Sequence, residues 1–223
     1  TDRIIKMLNV SNDRLVVDQK GIYSIEKFLI ARRLMYWQVY LHKTVISAEQ
    51  MLRNILNRAK FLTRNGETLF AQPSLQFFLQ GVKKLDGDTL ANFTSLDDDD
   101  IFSSLKVWGS HSDKVLSYLS KSLQNRQLFR VRISNQPFDC QLIDDMRKKA
   151  ANFLNIDISD AHYLVYTDTL SNSAYRPLDE EILILLKSGE IQNIVTASDM
   201  FNHEVMSKTV LKYYLCYPKE LEN

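Results

Sequence analysis

Only two cysteines occur in this 223-residue chain, Cys140 and Cys216. Two thiols are too few for a disulfide framework, and reduced cytosolic side chains in a cytoplasmic protein are the expectation. Glycine is scarce as well, six in all and isolated at positions such as Gly66, Gly81, Gly87 and Gly109. Neither a Rossmann fingerprint nor a Walker loop is spelled. The four histidines, His42, His111, His162 and His203, fall in different expected elements. With no HExxH and no CxxC, a zinc site loses its usual support. No run approaches the roughly 18–20 apolar residues that cross a bilayer, and no signal peptide opens the chain, so a membrane is not an expected partner. Charge of one sign is also missing: 28 Lys+Arg stand against 27 Asp+Glu, a net +1. Global charge therefore gives no steering towards nucleic acid, although a local basic pocket stays open. Binding of single-stranded nucleic acid, through Tyr stacking and Arg–phosphate contacts, is a minor reading for the same reason.

What is present is an ordinary globular composition, 45% hydrophobic and 25% charged. A chain of this size buries roughly 70–75% of its extended surface and needs no staple. Residues 2–8 suggest a short helix, Asn12-Asp13 a turn, and Leu15-Val16-Val17 a short strand. A long helix is expected from an N-cap at Ser24 to about Lys43, and a second from Val45 or Ser47 to Leu62. Pro73 suits the first turn of a third. The acidic run Asp97-Asp98-Asp99-Asp100 is better explained as a cap and dipole partner of the following helix than as a metal site. Another helix opens near Ser112. After Gln127 the period changes: Phe129, Val131 and Ile133 alternate with Arg130 and Arg132 as in a half-buried strand. A helix over 139–154, strands at 162–168, 181–187 and 208–216, a looser one near 191–195 and a short helix from Ser198 to about Val205 complete the chain. The expected fold is mainly α, a helical region over 1–125, with a small C-terminal α+β subdomain over 126–223.

The helix from Ser24 carries an unusual stripe. At 100° per residue Ile25, Arg32, Tyr36, Val39 and Lys43 share an arc of about 60°. A guanidinium within an apolar stripe is costly unless it meets a carboxylate, reaches water or holds a phosphate. Two readings stand: a structural ion pair or snorkelled arginine, and an anion pocket walled by Tyr36 and Tyr40. Lys121, Arg126, Arg130 and Arg132 form a second basic set, for which a solvated strand edge is the ordinary explanation.

The stretch IYSIEKFLIARRLMYWQVYLHKTVISAEQML, with NRQLFRV further on, resembles the region after the catalytic motif of HD-superfamily phosphohydrolases. The similarity is to the deoxynucleoside triphosphate triphosphohydrolases of the SAM-and-HD-domain type and their bacterial relatives, from about Asp2 to about Val131. The resemblance implies that Arg32 grips the substrate triphosphate, that Tyr40 lines the deoxyribose, and that Tyr36 stands where some relatives have a pocket histidine. It implies that Arg3, Lys20, Lys43, Arg126 and Arg130 collect the phosphates of an activating nucleotide, with His42 touching that nucleotide. Asp18 departs from the pattern by standing where a relative has an arginine, which reverses a charge beside a polyanion.

In that family a His, a His-Asp doublet and a later Asp hold a divalent metal, and none of these is present here. The chain is therefore expected to be a C-terminal piece, excised or proteolysed, of a larger enzyme: it would supply substrate and effector residues and lack the metal ligands. The implied parent reaction releases deoxynucleoside and triphosphate from a dNTP, in a homo-oligomer, and this chain alone is expected to be inactive. The alternative is a non-catalytic helical scaffold for protein association, whose basic residues make ordinary salt bridges.

Overall fold

Asn12 and Asp13 both take a left-handed backbone, φ 52° and 58°. This is the two-residue turn that matches the twist of a tight hairpin. It closes β1 (Leu8–Ser11) onto β2 (Arg14–Asp18) in antiparallel register, Leu8 opposite Val17. The computed structural model describes residues 2–82, 84–172, 181–199 and 210–222. Over these the chain is mainly helical with two small sheets, and its contacts gather into two units. They are Thr1–His42 with Thr169–Lys212, and Lys43–Asp168 with Tyr213–Asn223. The grouping does not follow the change of period near residue 125.

In the first unit, α1 (Asp2–Ile5) precedes the hairpin. β2 pairs in parallel with β5 (Leu183–Leu185), which pairs antiparallel with β6 (Ile191–Asn193). α2 (Ile22–Met35) lies against this sheet and starts two residues before the expected cap at Ser24. Gly21 sets that start: a Cβ there would lie 2.6 Å from Val17 Cγ1, so only glycine lets the chain turn so close to β2. Ile22, Ile25 and Leu29 of α2 pack with Val17, Ile184 and Ile194 in one core. Buried Glu26 meets the Ser198 hydroxyl. The short helix observed here is α9 (Ile194–Ala197). Most of the helix expected from Ser198, and His203, lie outside the described residues.

The second unit is built on α3 (Lys43–Arg64), whose Met51, Ile55, Ala59 and Leu62 are buried at helical spacing. Pro73 occupies the first turn of α4 (Pro73–Gln80), and α5 (Gly87–Ser95) follows. Asp97 caps α6 (Asp98–Trp108). Its carboxylate accepts from the Asp99 and Asp100 amides, while Asp100 accepts from the Asp97 amide. That reciprocal box accounts for the acidic run without an ion. The next helix, α7 (Lys114–Gln124), is capped by Asp113 rather than Ser112. β3 (Arg130–Ser134) runs antiparallel to β7 (Val210–Tyr217), Arg130 opposite Tyr217, and the sheet order is β3-β7-β4, with β4 at Tyr166–Asn172. α8 (Cys140–Leu154) is capped by Asp139. A 3-10 turn, Ile158–Tyr163, takes up part of the region expected as strand from 162. No described helix is long and apolar enough to cross a membrane.

Candidate functional site

The expected single helix from Ser24 to Lys43 is interrupted. α2 ends at Met35, and Tyr36–Tyr40 form a π turn in which the Leu41 amide donates to the Tyr36 carbonyl at 2.7 Å. Such turns recur at functional sites because they re-aim side chains without breaking the helix axis. The wheel that placed Lys43 on the stripe of Arg32 therefore does not apply beyond Met35.

The same stripe is core at Ile25 and Leu29 and comes to the surface at Arg32, which is exposed. Its guanidinium carbon lies 5.8 Å from the Tyr36 ring centroid, and the Tyr36 and Tyr40 rings are 5.0 Å apart. Among the described residues no carboxylate pairs with Arg32, so the structural ion pair weighed for it is not found there. Trp37 faces elsewhere, with Lys212 Nζ 4.7 Å from its ring. A cation and two tyrosines thus share one open face in the first unit. Arg3 lines a separate apolar cavity of about 730 Å³ with Ile4, Leu8, Leu15, Ile25 and Phe28. Lys20 sits exposed in the 3-10 turn before α2, Asp18 accepts from the Asn9 side-chain amide at 3.2 Å, and His42 is exposed at the end of this unit.

Three of the expected phosphate-collecting residues meet in the second unit. Lys43 at the start of α3, Arg126 after α7 and Arg130 on β3 line one cavity of about 300 Å³, with Thr44, Phe129 and Lys219. That volume is at the small end of ligand sites. Lys43 opens a 22-residue helix, so the positive end of its dipole adds to the cationic wall. Arg126 reaches the wall at a conformational cost. It takes φ 56° as the residue after the α7 cap, its amide donating to Leu123 and that of Gln127 to Ser122. This is the Schellman position that glycine normally fills.

Sequence reasoning missed Lys219. It stands in the turn Lys219–Glu222 after β7, anchored by buried Leu221, and only the pairing of β7 with β3 brings it beside Arg130. Glu222 of the same turn holds the Arg130 guanidinium through Nε at 3.1 Å and Nη2 at 2.9 Å, and accepts from the Tyr217 hydroxyl at 2.9 Å. Arg130 and Tyr217 hold the Glu222 carboxyl below the usual glutamate range. Among the described residues Lys43, Arg126 and Lys219 make no ion pair. Likewise, no group of three or more His, Cys, Asp or Glu gathers as a metal would require.

Residues 1–67 match the family model described as an HD associated region. The chain is similar over 96% of its length to a phosphohydrolase of known structure from Bacteroides thetaiotaomicron, 50% identical with a TM-score of 0.89, and covers 55% of that chain. A hypothetical protein from Aquifex aeolicus shares the fold at 21% identity and a TM-score of 0.57, over 99% of this chain and 48% of its own. YwfO of Bacillus subtilis, an uncharacterized protein, is 30% identical over 226 residues, 99% of this chain and 50% of that one. The chain thus spans about half the length of the relatives it matches. Its fold is that of an HD-superfamily-like phosphohydrolase.

Proposed function

We propose that the chain is the substrate-wall and effector half of an HD phosphohydrolase that releases triphosphate from a deoxynucleoside triphosphate. The supporting observation is the meeting of Lys43, Arg126 and Arg130 with Lys219 at one cavity. Paired guanidinium donors and ammonium groups suit a polyphosphate, and an isolated strand edge would not need a left-handed arginine to face it. In this reading the cavity takes the phosphates of an activating nucleotide, and the resemblance alone assigns effector contacts to Arg3, Lys20 and His42. Arg32 orients the substrate triphosphate beside Tyr36 and Tyr40, with Tyr40 against the sugar. The region 1–125 completes the HD domain and 126–223 serves regulation and homo-oligomer contact.

The divalent metal of this chemistry has no ligand set among the described residues. Its ligands belong to protein outside them, and no step through it is drawn from this chain. What these residues do is bind, orient and balance charge.

The test is a triphosphate-release assay on the full-length parent protein. Arg32→Ala should lower kcat/KM on the order of a hundredfold, and Lys43→Ala should raise the nucleotide concentration needed for activation. Unchanged turnover in both variants overturns the reading. The scaffold alternative is favoured by the apolar cavity of about 730 Å³ beside exposed Ile5, Leu8, Leu15 and Phe28, a surface suited to protein association.

A further inference from the structure

Glu222 is a carboxylate paired with Arg130, one wall of the basic cavity, and several contacts hold it there. Arg130 and Tyr217 are partners across the β3–β7 ladder, and the chain then turns through Lys219–Glu222 with Leu221 buried beneath. Tyr118 steadies the same turn by donating to Glu220 at 3.4 Å. The turn therefore presents Lys219 to the cavity and Glu222 to Arg130 together. The Glu222 carboxylate takes the Nε–Nη2 edge of the guanidinium, the fork that a phosphate would use. Tyr217, itself buried, donates to Oε1 of that carboxylate, an oxygen that Arg130 Nε also reaches.

We infer that Glu222 is a built-in competitor for the anion at this cavity, and that Lys219 is a further cation the anion engages when Glu222 yields Arg130. The inference rests on the reading of the cavity as a polyphosphate site. Its logic is electrostatic. An exposed pair such as Arg130–Glu222, with side chains 51% and 39% exposed, is weak enough to exchange partners. A polyphosphate that also meets Lys43, Arg126 and Lys219 can displace one carboxylate, whereas a single phosphate, with fewer contacts to gain, displaces it less readily. The device makes the site selective for chains of phosphoryl groups over orthophosphate, because the competitor penalises both and only the longer anion recovers the loss.

The experiment is calorimetric titration of the full chain with inorganic tripolyphosphate and, separately, orthophosphate, at low salt, with melting curves confirming that each variant is folded. Glu222→Gln keeps the acceptor for Tyr217 but removes the charge. It should tighten tripolyphosphate about two- to fivefold and narrow the preference over orthophosphate. Lys219→Ala should weaken tripolyphosphate by a similar factor, and Arg126→Gly should weaken it at least as much. If Glu222→Gln leaves the affinity unchanged or lower while Arg126→Gly still weakens it, the competitor is refuted and the polyphosphate site stands. If neither Arg126→Gly nor Lys219→Ala alters binding, or if no variant binds, both are refuted.

Discussion

Arg58 and Asp113 form a two-point ion pair in the interior of the second unit, Nε to Oδ1 at 3.2 Å and Nη2 to Oδ2 at 2.6 Å. Asp160 closes the other edge of the guanidinium at 2.7 Å, and the Phe61 and Tyr163 rings lie 5.2 and 5.3 Å from its carbon. The pair ties the later turns of α3 to the N-cap of α7. The opposite ends of those two antiparallel helices carry Lys43 and Arg126.

Arg58→Met should therefore be expensive. Arg58 is 6% exposed, so its loss leaves Asp113 and Asp160 without their shared guanidinium. Breaking a buried pair from one side costs about 3–5 kcal/mol. Asp113→Asn should cost less, because asparagine still caps α7 and Asp160 still faces the guanidinium. Denaturant melts of the two variants check the order; equal losses would show that the Asp113 charge carries the whole clamp and that Asp160 adds nothing to it.

The same pair predicts an acid limb. Burial pushes the Asp113 carboxyl up, but the Arg58 guanidinium, the Leu116 amide and His111 outweigh it and hold it below the usual aspartate range. A depressed folded pKa gives stability that is present above the unfolded value. It is lost as pH falls through the folded one, because the unfolded chain binds the proton first. Stability should decline below about pH 4, and the contribution of residue 113 to that slope should flatten in Arg58→Met. A slope identical in both proteins would assign the acid limb to other carboxylates.

Much of this was visible in the sequence, and the misses have physical causes. Pro73 and an aspartate cap within the run Asp97-Asp98-Asp99-Asp100 were legible because each acts through its own backbone neighbourhood. Asn12-Asp13 announced the turn, yet the strand before it was hidden: Leu8-Asn9-Val10-Ser11 alternates over only four residues, and Leu8 also fits the helical spacing of Ile4 and Ile5. The π turn was invisible, since Tyr36, Val39 and Tyr40 fit an α-helical wheel as well as they fit the observed turn. Arg58 could have been found, lying among Ile55, Ala59 and Leu62 on the buried face of α3. Lys219 and Glu222 could not, because only the β3–β7 pairing brings them to Arg130.

The two thiols should separate cleanly. Cys140 is exposed, whereas Cys216 is buried in β7 and its thiol is pushed up to about 11, chiefly by burial. Since the thiolate is the reactive species, one equivalent of a disulfide reagent should react in the native protein near pH 8 and two in denaturant. Two fast equivalents without denaturant would mean that β7 opens readily.

Arg126 offers a way to separate folding from binding. A left-handed non-glycine residue costs about 1–2 kcal/mol relative to a right-handed one, and Arg126 holds φ 56° where glycine would be unstrained. Nothing among the described residues compensates it with an ion pair. Arg126→Gly should therefore leave the melting temperature unchanged or raise it by a few degrees, while the basic cavity loses a guanidinium. A residue that weakens the fold where it stands, and whose removal impairs only anion binding, is kept for its side chain. Should Arg126→Gly lower the melting temperature instead, the guanidinium is serving the fold, and the left-handed arginine ceases to support a site at this cavity.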